Sequence, residues 1–141
     1  MYEHPLVFRK GDVVRRRDEE SRLLIDESMK RDVSNSIWHI APVPPRYVDH
    51  PAPFPAEIPD RLINFCSNVG DLVLDLFNGS GTTTKVAEHL GRHYLGIDKI
   101  PEYVELAERR LQKPLHLKDH LYAEWRKIRP AGSPTRGRRP A

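Results

Sequence analysis

The sequence feature that most constrains the fold is residues 73–84, which read Val-Leu-Asp-Leu-Phe-Asn-Gly-Ser-Gly-Thr-Thr-Thr. The apolar start predicts a buried strand, the two glycines predict a tight turn, and the threonines predict the start of a helix. Gly79 and Gly81 can take positive φ angles and let a ligand approach the backbone closely. Thr82 or Thr83 can cap the helix, whose first N–H groups would face that ligand. The segment therefore predicts a ligand-binding turn.

A second apolar run, at residues 94–97, predicts a strand that ends in Asp98, 23 residues after Asp75. A strand, a glycine-rich turn, a helix and a second strand ending in an acid form the nucleotide-binding half of a doubly wound α/β fold. The Asp98 carboxylate can accept two hydrogen bonds from a ribose diol. We therefore expect a ligand that contains a ribose.

The spacing of the glycines separates three classes of ligand. A phosphate-binding loop would have glycine five residues after Gly79, but Thr84 stands there, so Lys85 is not the lysine of such a loop. A dinucleotide-binding turn would need its third glycine at the same position. An acid at Asp75 suits a ligand with an ammonium group better than a pyrophosphate. S-adenosylmethionine has an ammonium group, a sulfonium and a ribose; an NAD-type domain and a turn that binds nothing are the alternatives.

Residues 75–83 resemble the Asp-Pro-Phe-x-Gly-Ser-Gly-Thr-Thr cofactor motif of the DNA amino-methyltransferases, which modify adenine N6 or cytosine N4; Leu76 replaces the usual proline. Residues 50–55, His-Pro-Ala-Pro-Phe-Pro, are similar to the segment that precedes this motif in the family. Further similar segments lie at residues 36–40, 91–98 and 103–111. The resemblance covers residues 33–112, and the order of the segments is that of the permuted β class.

The resemblance implies a partial Rossmann-like S-adenosylmethionine-dependent methyltransferase fold, an α/β fold whose doubly wound sheet is incomplete in this chain. It also implies S-adenosylmethionine as the cofactor. The turn residues 77–79 and 81 would surround the methionine end, Asp75 would help to hold its ammonium group through water, and Asp98 would bind the ribose. The predicted cofactor-binding residues are Pro53, Phe54, Asp75, Phe77, Asn78, Gly79, Ser80, Gly81, Thr82, Asp98, Lys99 and Ile100.

The remaining site residues have roles that the resemblance defines less closely. Residues 99 and 100 would border the adenine, and Pro53 and Phe54 would lie on the methionine side of the cofactor. For Phe54 and Phe77, packing in the core is the alternative role. Ser80 and Thr82 would either cap the helix or contact the cofactor carboxylate.

The catalytic motif of the family, Asp/Ser/Asn-Pro-Pro-Tyr/Phe, does not occur in this sequence. The nearest string is Pro-Pro-Arg-Tyr at residues 44–47, which reads as an extended loop because X-Pro steps favour extended backbone. We therefore assign no catalytic residue. The resemblance implies methyl transfer to DNA, with this chain a C-terminal fragment or split subunit that is inactive without a partner. The alternative is a non-catalytic S-adenosylmethionine-binding remnant or regulatory module.

The length of 141 residues fits one domain, but only two strands are evident, whereas an open α/β sheet has about five or six. We therefore expect a second polypeptide to supply the catalytic motif and the rest of the sheet. The alternative is that the first 50 residues supply strands, for which residues 6–8 and 13–14 are candidates. Helices are predicted at residues 19–29, 55–68, 83–90, 101–112 and 118–129.

The charge divides the chain into a charged segment at residues 1–35, a cofactor-binding part at 36–125 and a basic tail at 126–141. The whole chain has 23 basic and 20 acidic residues, and six of the basic ones lie in the tail, which has no acid. This proline- and glycine-rich tail is predicted to be disordered, and it could contact DNA phosphates or simply be solvated. In the first segment, residues 15–17, all arginine, are predicted to be solvated.

Other features indicate a cytoplasmic protein without a metal site. No apolar run is long enough to cross a membrane, and the start does not resemble a signal peptide. Cys66 is the one cysteine, so no disulfide framework exists, and it is predicted to pack on the apolar face of a helix. His116 and His120 are four residues apart but lack a third ligand at a suitable spacing.

Overall fold

A computed structural model describes residues 4–11, 16–23, 30, 35, 37–40, 42–43 and 53–113. Most of its regular structure lies in the last of these stretches. The elements that it defines are helix α1 (Glu19–Leu23), helix α2 (Glu57–Cys66), strand β1 (Leu72–Asp75), helix α3 (Thr82–His89), strand β2 (His93–Gly96) and helix α4 (Pro101–Leu111).

Strands β1 and β2 run parallel, with Leu72 paired to His93 and Asp75 paired to Gly96. Helix α3 connects them and packs against both, so β1, α3 and β2 form the predicted crossover unit. Because the strands are parallel, their carboxyl ends meet at the same edge of the sheet. This edge carries Asp75 and, two residues after β2 ends, Asp98.

The core of the described chain lies between helix α3 and its neighbours. Val86 and Ala87 of α3 are fully buried, and they cluster with Ala56 and Ile63 from the region of α2. Val73 of β1 packs against the same cluster from the sheet side. Helix α4 flanks α3 on a further side. Helix α3 is thus the centre of the structure, and burial of its apolar side chains supplies the main hydrophobic stabilisation.

The opposite face of the sheet is exposed, which corrects the prediction that the first strand is buried. Leu72 and Leu74 are 64% and 52% exposed, and Leu95, the partner of Leu74 in the register, is 50% exposed. Alternate residues of a strand point to opposite faces, so the face that carries Val73 contacts α3 and the other faces away from it. No element of the described stretches covers these leucines.

The predicted helices agree with the structure to within a few residues at each end. The prediction at 55–68 corresponds to α2, that at 83–90 to α3 and that at 101–112 to α4. Helix α1 is the described part of the prediction at 19–29, and the helix predicted at 118–129 and the tail lie outside the described residues. Residues 6–8, a candidate strand in the alternative that the first 50 residues supply strands, are irregular and exposed. Residues 13–14 lie outside the described stretches.

Two predictions about single side chains are corrected. Cys66 is exposed at the last position of α2, so it does not pack on the apolar face. Arg17 is not a solvated surface residue, because its guanidinium donates hydrogen bonds to the carbonyls of Asn64 and Phe65. Those carbonyls lie in the last turn of α2, where a helix leaves its acceptors unpaired.

Among the described residues, no helix combines the length and apolarity needed to cross a lipid bilayer.

Candidate functional site

The glycine turn, residues 77–82, links the end of β1 to the start of α3. Gly79 and Gly81 have φ angles of 49° and 77°, in the left-handed region that glycine adopts without strain. Gly81 is the N-cap of α3, and no side chain caps the helix. The prediction that Thr82 or Thr83 caps the helix is therefore wrong, since α3 already begins at Thr82. Its first N–H groups are left without a side-chain acceptor from the cap position.

The Asp98 carboxylate lies against the glycine turn. Its Oδ2 accepts a hydrogen bond of 2.8 Å from the Gly79 N–H, and its Oδ1 accepts one of 3.0 Å from the Ile100 N–H. A carboxylate oxygen can accept more than one hydrogen bond, so Asp98 can hold the turn and still accept bonds from a ligand. The structure thus brings together the glycine turn and the acid that the sequence places 19 residues apart.

Asn78 supports the turn from its buried side. Its N–H donates to the carbonyl of Ile97 (2.9 Å), and its carbonyl accepts from the Gly81 N–H (2.8 Å). Its side-chain Oδ1 accepts a bond of 3.1 Å from the Thr84 hydroxyl. A Cβ on Gly96 would lie 2.5 Å from this side chain. Glycine at position 96 is therefore required for Asn78 to fit between the turn and β2.

Ser80 and Thr82 are buried and face helix α4. Nη1 of Arg110 donates a hydrogen bond to the Ser80 carbonyl, a second to Ser80 Oγ (2.9 Å) and a third to Thr82 Oγ1 (3.3 Å). The close packing of the turn on α4 also depends on Gly81, because a Cβ there would lie 2.7 Å from Cβ of Ala107.

The other predicted site residues lie around this edge of the sheet and on the approach to α2. Oδ1 of Asp75 accepts a bond of 3.0 Å from the Phe77 N–H, and the Phe77 residue is 88% exposed, so it does not pack in the core. Lys99 is exposed and Ile100 half-buried, both following Asp98. Pro53 and Phe54 precede α2, and their place beside a cofactor stays a prediction.

Sequence reasoning missed three residues that shape the site: Thr84, Gly96 and Arg110. A glycine inside a strand is a signal of close backbone approach, and it could have indicated Gly96. Nothing local indicates Arg110, because its contact with Ser80 spans 30 residues.

The described residues contain no group of three His, Cys, Asp or Glu side chains that could hold a metal ion.

Comparison with known proteins adds to this geometry. A family model described as DNA methylase, which groups the N6 and N4 enzymes, matches residues 1–109. The chain belongs to the N4/N6 DNA methyltransferase family. The family and the fold class that the resemblance implied are thus confirmed, and the match extends to the first 32 residues, which the resemblance had left out.

Several members of this DNA methyltransferase family are similar to the chain. The type II methyltransferase M.BglI of Bacillus subtilis is 38% identical over 112 residues, which are 79% of this chain and 31% of that protein. M.HpaI of Haemophilus parainfluenzae is 48% identical over 62 residues, 44% of this chain and 20% of that protein. The chain thus spans about a third or less of the length of these two relatives.

The fold is similar to that of a solved structure from the same family. A protein described as a putative DNA modification methylase, from Thermus thermophilus, was solved in complex with S-adenosyl-L-methionine. It is 34% identical, with a TM-score of 0.59 over 73% of this chain and 40% of that one. S-adenosylmethionine, the cofactor predicted for the chain, is therefore the one bound in this similar structure.

Proposed function

We propose that this chain is the cofactor-binding part of an S-adenosylmethionine-dependent DNA methyltransferase that modifies adenine N6 or cytosine N4. The observation that carries the proposal is the bond between the Asp98 carboxylate and the Gly79 N–H. It places an acid suited to a ribose diol directly against the glycine turn, as in the nucleotide-binding half of a doubly wound fold. The Thermus thermophilus relative, solved with S-adenosyl-L-methionine, supports the same ligand.

In this proposal the exposed and half-buried residues of the site contact the cofactor, and the buried ones hold the turn. Asp98 would accept bonds from the ribose hydroxyls, while Lys99 and Ile100 border the adenine. Asp75 would attract the ammonium group through water. Phe77, with its exposed ring, would lie along the methionine end. Asn78, Ser80 and Thr82 are buried and serve the shape of the turn, as do Gly79 and Gly81.

The reaction would transfer the sulfonium methyl group to the exocyclic amine of a DNA base. The base has to leave the stack to reach the cofactor, and the protein has to align the amine with the methyl group. The family motif that would hold the amine and stack on the base is absent from this sequence. We therefore propose that the chain binds cofactor but does not methylate DNA alone.

A second polypeptide that carries the catalytic motif would complete the enzyme. The chain covers 31% of M.BglI, so much of a family member has no counterpart here. The sheet face with Leu72, Leu74 and Leu95, which no described element covers, is where further helices of a layered α/β fold would pack. The basic residues of 126–141 would add salt-dependent contacts to DNA phosphates. A cofactor-binding module that regulates another protein without catalysis is the second candidate.

Titration calorimetry of the purified chain with S-adenosylmethionine tests the cofactor site. We expect binding that Asp98→Ala abolishes, whereas Asp98→Asn, which keeps an acceptor for the Gly79 N–H, retains the turn but weakens binding. NAD⁺ in the same assay tests the dinucleotide alternative. A folded chain, shown by circular dichroism, that binds NAD⁺ or neither ligand would contradict the proposal.

Transfer of labelled methyl groups to DNA then separates the enzyme from the regulatory module. We expect no incorporation by the chain alone and incorporation after addition of a protein with an Asp/Ser-Pro-Pro-Tyr motif encoded beside it. Methylation by the single chain would show that no partner is needed.

A further inference from the structure

The guanidinium of Arg110 contacts the inner side of the glycine turn from helix α4. It donates from Nη1 to the carbonyl and the hydroxyl of Ser80 and to the hydroxyl of Thr82. Hydrogen bonds from an ionised donor are roughly twice as strong as neutral ones. Three acceptors that flank Gly81 therefore share one charged donor.

These bonds fix one peptide plane within the turn. The carbonyl of the Ser80–Gly81 peptide accepts from Arg110, and its N–H donates to the carbonyl of Asn78 (2.8 Å). Both polar groups of that peptide are held, so it cannot rotate without losing two hydrogen bonds. Gly81 has φ of 77°, and its own carbonyl accepts from the Lys85 N–H (3.0 Å) and the Thr84 hydroxyl (3.2 Å). Arg110 therefore holds the peptide group on the other side of Gly81, before helix α3 begins.

The neighbouring Arg109 is in a different environment. Its side chain is 63% exposed and pairs with Glu105, also exposed, on the same helix at 3.7 Å. Arg109 and Arg110 are both arginines of helix α4, but only Arg110 bonds to the glycine turn. Arg109 is therefore a matched control.

We propose that Arg110 is a positioning residue that holds the glycine turn in its cofactor-binding conformation; this rests on the proposed binding of S-adenosylmethionine. Arg110 touches the backbone and side chains of the turn, and it acts on the ligand through them. Preorganisation of the turn lowers the cost of ordering it on binding, so loss of Arg110 weakens binding.

The experiment compares Arg110→Met, Arg110→Lys and Arg109→Met by calorimetry with S-adenosylmethionine and by amide hydrogen exchange of the free chains. We expect Arg110→Met to raise Kd about tenfold and to speed exchange at residues 79–82, with Val86 and Ala87 still protected. Arg110→Lys keeps one charged donor and recovers part of both effects. Arg109→Met leaves both measurements at the level of the unchanged chain.

The two readouts separate failure of the positioning role from failure of the cofactor site. If the unchanged chain does not bind S-adenosylmethionine, the proposed function fails, and the same result overturns a positioning role in binding. If it binds, unchanged Kd and unchanged exchange in Arg110→Met overturn the role of Arg110 alone. If both Arg110 variants exchange faster at Val86 and Ala87 as well as at the turn, Arg110 supports the packing of the whole unit. That result would also overturn its role as a positioning residue for the turn.

Discussion

At the scale of single residues, the site depends on positions where a side chain would not fit. Gly96 faces the side chain of Asn78, and the turn residue Gly81 faces Ala107. Neither glycine contributes a polar side chain, yet each lets two elements approach within contact distance. Asn78 in turn bonds to Thr84 and to the backbone beyond β2. The shape of the glycine turn is therefore decided by small residues on the elements behind it.

We expect Gly96→Ala to destabilise the chain by about 1–3 kcal/mol, because its methyl group overlaps the Asn78 side chain and forces a shift. Urea unfolding measures the change. The control is the same substitution in an Asn78→Ala background, where the obstructing atoms are gone and the added cost of the alanine should fall to a fraction. An equal cost in both backgrounds would contradict the steric explanation.

At the scale of elements, the end of helix α2 is held by two arginines from distant segments. Arg17 donates to the carbonyls of Asn64 and Phe65, and Arg92 donates to the hydroxyl (3.1 Å) and carbonyl (2.9 Å) of Ser67 and to the Leu90 carbonyl (2.8 Å). Burial, and then the nearby charge of Arg17, lower the pKa of Arg92. The attraction of both cations to helix carbonyls offsets that cost.

We expect Arg92→Ala to cost about 2–3 kcal/mol, because it removes a buried guanidinium and leaves the part-buried acceptors on Ser67 and Leu90 without their charged donor. Arg109→Ala removes a guanidinium of the same kind from an exposed ion pair and should cost about 0–1 kcal/mol. The midpoints of thermal unfolding compare the two variants. Similar losses from both would show that the bonds of Arg92 add little to stability.

At the scale of the whole molecule, the described elements cover one face of the sheet and leave the other exposed. Val73 packs into the core beneath α3, while its neighbours Leu72 and Leu74 and the paired Leu95 are half exposed or more. Large exposed apolar patches are commonly places where another element or another chain packs. This arrangement is typical of half a layered fold, in agreement with a chain that spans 40% of its structural relative.

We expect the double variant Leu74→Lys, Leu95→Lys to reduce self-association of the isolated chain with little loss of stability, because both side chains already face outward. Val73→Lys is the control, and it should unfold the chain because its side chain packs on the core cluster. Light scattering measures association and circular dichroism measures folding. Unfolding by the double variant would show that this face is covered within the chain itself.

The sequence by itself determined the strand, turn, helix, second strand and acid, and the resemblance of its motifs to those of the DNA amino-methyltransferases indicated the family. Those features follow from local patterns: apolar runs, two glycines in a turn and an acid at a strand end. The helix bounds followed in the same way, to within a few residues, because apolar periodicity and the glycine and proline positions at helix ends are local signals.

Only the tertiary structure decided which side of the strands is buried, that Cys66 is exposed, and that Arg110 contacts Ser80. An apolar run looks the same whether one or both of its faces are covered, so the exposure of Leu74 depends on what packs there. The contacts of Arg17 and Arg110 join residues 28 to 48 positions apart. Their partners are set by how α3 packs against its neighbours, and no local pattern encodes that packing.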